Sequence, residues 1–211
     1  MDFNDSQQEA AFRKEARDFL EANAEKRSII SDKPNDKSPQ IAVAGAPETV
    51  KGGKEAAQEA LERAKVWQKK KAEAGFAAIL WPKEFGGYGG SPIQQVIYSQ
   101  EEHDYLVPSG YFEIGIGMLG PTMMVWGKDE DKKRYLPKMI TGEEIWCQLF
   151  SEPSAGSDLA GIKMKAEKDG DEWVLNGQKV WTSGAHFADY GMIVARSDPS
   201  ALKHKGLTYF Y

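Results

Sequence analysis

The hydrophobic period of this chain changes once, at Gly142, and that change limits the fold more than any other feature. Before it, apolar residues recur at three- and four-residue spacing, the repeat of helices buried on one face. After it, short apolar runs alternate with polar residues or are cut by turn residues, the repeat of strands. A chain of 211 residues with such a break has room for two modest domains, one helical and one built on a sheet.

In the helical part, Ser6-Gln7-Gln8-Glu9 fits a capping box, in which the Ser hydroxyl and the Glu carboxylate satisfy free amides of the first turn. Phe12, Ala16, Phe19 and Leu20 then share one face, predicting a helix to about Asn23. Residues 28–53 are rich in Pro, Gly, Lys, Asp and Ser, lack periodicity, and read as a long loop or insertion. Lys54 to Ala74 is strongly helix-forming, with Ala57, Leu61, Ala64 and Trp67 as its stripe. Phe85-Gly86-Gly87-Tyr88-Gly89-Gly90 is a flexible turn. Ser91-Pro92-Ile93-Gln94 restarts a helix with Ser as N-cap and Pro at the first helical position. An apolar segment from Gly115 to Trp126 and a short charged helix from Asp129 to Ile140 complete this part, and Gly142 stops it.

Beyond Gly142, Lys163 to Lys168 alternates, Asp169-Gly170 turns, Glu172 to Leu175 is a strand, Asn176-Gly177 is a favoured hairpin turn, and Gln178 to Thr182 pairs back. The expectation is an antiparallel meander, extended by strands at Tyr190 to Ala195 and Leu207 to Tyr211. The last of these, Leu-Thr-Tyr-Phe-Tyr, carries no terminating turn or polar tail, and such an open edge predicts that the chain is a fragment of a longer one.

Composition excludes several functions. No window approaches the roughly 20 apolar residues that span a bilayer, and the acidic N-terminus lacks the order of a signal peptide, so a cytoplasmic protein with no membrane span is predicted. The 27 basic residues are interspersed with 32 acidic ones, and Lys69-Lys70-Lys71 lies on a helical surface pattern, so nucleic acid is not an expected partner. Cys147, the only cysteine, rules out an intrachain disulfide and reads as a buried spectator. His103, His186 and His204 have no metal-ligand spacing, and no metal site is predicted.

Two stretches carry chemistry. In Ser151-Glu152-Pro153-Ser154-Ala155-Gly156-Ser157-Asp158, small residues allow backbone amides and hydroxyls to converge on an anion; taken alone, the stretch is a weak signal that reads first as an ordinary turn. Val180-Trp181-Thr182-Ser183-Gly184 delivers a large aromatic and then two hydroxyls, which suits a flat conjugated ligand; taken alone, it also reads as a core Trp followed by a loop.

With their context these stretches resemble the acyl-CoA dehydrogenase family. The matching segments are Gly75-Phe76 through Trp81-Pro82-Lys83-Glu84-Phe85-Gly86-Gly87, Lys133-Arg134-Tyr135-Leu136-Pro137 with Thr141-Gly142-Glu143, Trp146 to Asp158, Asn176-Gly177-Gln178-Lys179 through Trp181-Thr182-Ser183-Gly184, and Val194-Ala195-Arg196. The resemblance implies an α+β chain: an N-terminal all-α helical domain over 1–144, with 28–53 as a loop or insertion, then the first part of an antiparallel β-barrel-like domain over 145–211, incomplete at its C-terminus. A C-terminal helical domain would lie outside this chain.

The resemblance further implies an FAD-dependent oxidoreductase that converts acyl-CoA thioesters of lipid metabolism to trans-2-enoyl-CoA. Gln148, Phe150 and Ser151 would line the flavin edge, and Gly156 and Ser157 the flavin diphosphate, Ser157 reaching the CoA arm as well. Trp181, Thr182 and Ser183 would stand beside the flavin ring. No catalytic residue is assigned, because the family's Glu base would lie beyond Tyr211; Glu152 is read as structural. The 211-residue chain alone is therefore expected to bind FAD weakly and to be inactive. Expected partners are the acyl-CoA, an electron-transferring flavoprotein as electron acceptor, and further copies in a homo-oligomer, dimer or tetramer. A flavin oxidase or monooxygenase of the same fold and a non-catalytic binding or assembly module are the competing readings. The acyl pocket is expected around Tyr98 to Met118, with 28–53 hinting at a bulkier acyl group.

Overall fold

The computed structural model describes residues 4–27 and 53–211. The described chain forms two compact units, Met1–Glu143 and Glu144–Tyr211. The span predicted as an insertion lies outside the described residues, except for Gly53, the first residue of a helix.

The first unit is helical because its local signals agree. Helix α1 spans Gln7–Asn23 and opens on the predicted capping box, with Ser6 Oγ accepting from the Glu9 amide and Glu9 accepting from the Ser6 amide. A two-residue strand β1, Glu25–Lys26, follows it, and helix α2 covers Gly53–Glu73. Helix α3, Pro92–His103, repeats the capping box through Ser91 and Gln94. Strand β2, Tyr105–Leu106, pairs antiparallel with β1. A π-helical turn at Gly115–Leu119 leads into α4, Gly120–Trp126, and α5 spans Asp129–Thr141. Gly142 ends α5 in the left-handed conformation at φ 76°, which a glycine adopts without steric cost.

Most of the predicted stripe residues are buried, with Phe19 of α1 only half-buried. Phe12 and Ala16 of α1 pack with Phe76, Ile79, Ile97 and Tyr98, and Leu20 packs with Trp67 and Tyr105. Of the expected α2 stripe, Leu61, Ala64 and Trp67 are buried and Ala57 only half-buried; Gln68 is buried beside them and donates from its side-chain amide to the Ile140 carbonyl at 2.9 Å. The Trp81-Pro82-Lys83-Glu84-Phe85-Gly86-Gly87 segment has a packing reason. Trp81 is buried, its indole N–H bonds the Ile116 carbonyl of the π-helical turn at 2.9 Å, and a side chain at Gly87 would collide with the Trp81 backbone.

The second unit carries the sheet. Its strands are β3 (Trp146–Leu149), β4 (Lys165–Asp169), β5 (Glu172–Asn176), β6 (Tyr190–Arg196) and β7 (Leu207–Phe210), in one five-stranded sheet. The α+β class is the one predicted, and the sheet does not close into a barrel. Two details correct the sequence reading. First, β4–β5 and β6–β7 are antiparallel, but β6 runs parallel to β3 and to β4. The β4–β5 hairpin lies inside the connection from β3 to β6, which is long enough for β6 to return in the direction of β3; local alternation does not encode that direction. Second, the two-residue turn joining β4 to β5 is Gly170-Asp171, and Asn176-Gly177 makes no hairpin, since Gln178 to Thr182 is not a strand. At Gly177 the chain passes so close to Met164 that a Cβ would lie 2.8 Å from its Cα, and Lys179 then pulls the segment toward β3 and β6.

Candidate functional site

Strand β3 buries Trp146 and Cys147, while Gln148 is half-buried and paired with Met192 of β6. Cys147 is a free thiol whose pKa burial pushes up, the behaviour of a packing residue rather than a nucleophile. Phe150 leaves the strand half-buried and meets Tyr209 edge to face at 6.4 Å. The next residues form a tight turn: Glu152 and Ala155 exchange backbone hydrogen bonds of 2.8 and 3.1 Å, leaving Pro153 and Ser154 at the tip. Gly156 and Ser157 follow, both exposed, and a Cβ added at Gly156 would meet no atom within 4 Å.

Two polar clamps hold this loop. Both Glu152 oxygens are occupied, one by the Lys163 amide at 2.6 Å and the other by the Met164 amide and the Lys179 ammonium at 3.0 and 2.9 Å. Burial pushes the Glu152 carboxyl up, but the Lys163 and Met164 amides and the Lys179 ammonium outweigh it and hold the group below its ordinary range. The second clamp is Arg196, whose guanidinium bonds the carbonyls of Ile162, Ala160 and Lys203 and so fixes the turn at Leu159–Gly161.

The Trp181 loop is one of two strained points of the unit, the other being Lys203 at φ 45°. Trp181 has φ 58°, a left-handed conformation that a bulky residue rarely adopts, and its indole is 92% exposed. Beside it the Thr182 hydroxyl oxygen is buried with no hydrogen-bond partner among the described residues. Ser183 is exposed, and Gly184 turns the chain at φ 78° against Phe187.

The structure brings part of the predicted set together. The Val180 amide donates to the Ser151 carbonyl at 2.9 Å and Lys179 Nζ to the Phe150 carbonyl at 3.0 Å, so Phe150-Ser151 and Trp181-Thr182 stand on adjacent backbones. Gly156 and Ser157 lie on the far side of the turn, and among the described residues no hydrogen bond joins them to the Trp181 loop. The sequence reading quoted Lys179 and Arg196 within the matching segments but gave neither a role. The available signal was a lone lysine entering the apolar run Val180-Trp181, and an arginine ending the apolar strand β6. Among the described residues no group of His, Cys, Asp or Glu could hold a metal ion, and no helix is long and apolar enough to cross a membrane.

A helical unit followed by a small mixed sheet matches the architecture of a known enzyme class. Residues 47–143 match the family model of the acyl-CoA dehydrogenase N-terminal domain, and residues 147–211 that of the middle domain. The chain is 40% identical over 158 residues to acyl-CoA dehydrogenase IpdE1 of Mycobacterium tuberculosis, covering 75% of this chain and 41% of that one. Among solved structures, the Tcur3481-Tcur3483 steroid ACAD superposes with a TM-score of 0.74 at 32% identity, covering 99% of this chain and 48% of that one. The ChsE4-ChsE5 complex from Mycobacterium tuberculosis superposes with a TM-score of 0.69 at 31% identity, covering 99% and 47%. The chain belongs to the acyl-CoA dehydrogenase family. It spans less than half the length of these relatives.

Proposed function

We propose that this chain supplies part of the flavin and CoA site of an FAD-dependent acyl-CoA dehydrogenase, with residues 1–144 as its N-terminal domain and 145–211 as the first part of its middle domain. When bound, FAD would supply the acceptor for the hydride that leaves the β-carbon of the thioester, a carboxylate taking the α-proton. The observation that carries the reading is the pair Trp181 and Thr182: an aromatic face held in the open by a strained backbone, next to a buried hydroxyl that has no partner among the described residues. An uncompensated buried hydroxyl is costly, and a polar ring edge would satisfy it.

In this reading Trp181 offers its face to the flavin ring, and Thr182 and Ser183 supply hydroxyls at the ring edge. Gln148, Phe150 and Ser151 form the adjoining edge, and Gly156 with Ser157 receives the diphosphate and the CoA arm. Glu152 is not the base, because both its oxygens are taken and its carboxyl is buried. As the family resemblance implies, this reading puts the base in a part of the protein outside these 211 residues. We place the enzyme in the cytoplasm, with an electron-transferring flavoprotein as acceptor. The solved relative described as a steroid ACAD favours a steroid acyl group, and the ChsE4-ChsE5 complex favours assembly with a second, different chain beside a homo-oligomer.

Titration of the chain with FAD, followed by flavin absorbance and Trp fluorescence, tests the site. Weak saturable binding is expected, weakened further by Trp181→Ala and by Thr182→Val. Binding that neither substitution changes would overturn the site. Bleaching of the flavin by an acyl-CoA added to this chain alone would overturn the placement of the base.

A further inference from the structure

The buried pair of Lys179 and Glu152 joins the two loops of the site without facing the space that a ligand would occupy. Their side chains are 4% and 5% accessible, so neither can touch a bound ring. Nζ of Lys179 lies within hydrogen-bond distance of three acceptors: Glu152 Oε1 at 2.9 Å, the Phe150 carbonyl at 3.0 Å and the Val194 carbonyl at 2.8 Å. An ammonium has three N–H groups, and each has one partner here. The three acceptors lie at the end of β3, in the turn after it, and on β6. The lysine stem starts two residues before Trp181, and the next amide, Val180, bonds the Ser151 carbonyl. The backbone entering the strained Trp181 conformation is thus pinned at two consecutive residues, one through its side chain and one through its amide. Strain of that kind persists only where the surroundings over-determine it.

We infer that Lys179, locked on Glu152, is a positioning residue: it sets the Trp181-Thr182 loop against Phe150-Ser151 and so fixes the angle at which the two walls meet. The inference deepens the flavin reading above and rests on it for the ligand, but the placement of the loop stands on the hydrogen bonds alone. A bulky exposed side chain at positive φ has no packing of its own to hold it, and the orphaned Thr182 hydroxyl is useful only if its direction is fixed. Losing three bonds at one nitrogen releases both requirements together.

The test uses the 211-residue chain labelled with 5-fluorotryptophan, the Trp181 resonance being assigned through Trp181→Phe. Two variants are compared with the parent: Lys179→Met/Glu152→Gln, which removes both charges, and Lys179→Arg, which keeps the ion pair but cannot direct three N–H groups from one nitrogen. With folding verified by near-ultraviolet circular dichroism, the Trp181 resonance is expected to shift or broaden while those of the helical unit hold still. The dissociation constant for FAD is expected to rise about tenfold. A folded variant that keeps the Trp181 resonance of the parent overturns the inference, and if the neutral pair does not fold, Lys179→Arg decides. A displaced resonance with unchanged FAD affinity, or a parent that binds no FAD, overturns the flavin reading and leaves the positioning role standing.

Discussion

The two units treat charge in opposite ways. In the helical unit the interior is mainly aromatic and aliphatic, and the ion pairs lie at its partly exposed margin: Arg13 and Arg17 of α1 both reach Glu101 of α3. In the sheet unit the best-buried ion pair, Lys179 with Glu152, stands between strands and ties loops to them. The first unit runs to Glu143, while the second has only residues 144 to 211 and a correspondingly small apolar core. The lesson is that a small sheet with long loops is organised by polar clamps of fixed geometry, where a helical unit relies on apolar area.

The contrast breaks most visibly where each unit is most dependent. Phe76 stacks on Tyr98 and meets Phe12 edge to face in the centre of the helical core. Phe76→Ala should cost about 3–5 kcal/mol. Urea unfolding with native-state hydrogen exchange should show protection lost across the first unit, and unaltered protection there would refute the assignment of its core. Next comes Lys179→Met, which leaves Glu152 buried and unpaired at a cost of about 3 kcal/mol or somewhat more. Here the loss of protection should appear in residues 144–211.

Acid should separate the units less strongly. The folded Glu152 carboxyl is held below its ordinary value of 4.5, so the unfolded chain takes up the proton first as pH falls. Its stabilisation is complete above that value and is lost as pH drops through the folded one. Urea midpoints measured downward from neutral pH should therefore fall more steeply in the parent than in Glu152→Gln, with the difference confined to the acid side. The smallest effect is expected for Arg17→Gln, which breaks one exposed arm of the Glu101 pair. It should cost below about 1 kcal/mol and vanish at high salt. A larger or salt-independent loss would show that the helical unit also depends on its charges.

The helical unit was legible in the sequence to a degree that the sheet was not. Ser6 and Ser91 cap the helices they announce, and Phe12, Ala16, Leu20, Leu61, Ala64 and Trp67 are buried as their spacing requires. Each of these signals lies within a few residues of its consequence. In the sheet unit the strand positions of β5, β6 and β7 follow from local alternation, yet Asn176-Gly177, a strong hairpin signal, is overridden by the contact with Met164 and the pull of Lys179. The two motif loops were visible as sequence; that Ser151 and Val180 touch was not.

By itself, the sequence determined the helical elements and their caps, the change from helix to strand near Gly142, and the resemblance that points to a flavin. Caps and periodicity act through bonds spanning three or four residues, so they survive without knowledge of the rest of the chain. Only the tertiary structure decided that β6 runs parallel to β3, that Lys179 is buried on three acceptors 15 to 29 residues away, and that Thr182 keeps an unsatisfied hydroxyl. Those are outcomes of where distant segments meet, and hydrogen-bond satisfaction can be judged only once both partners have a place.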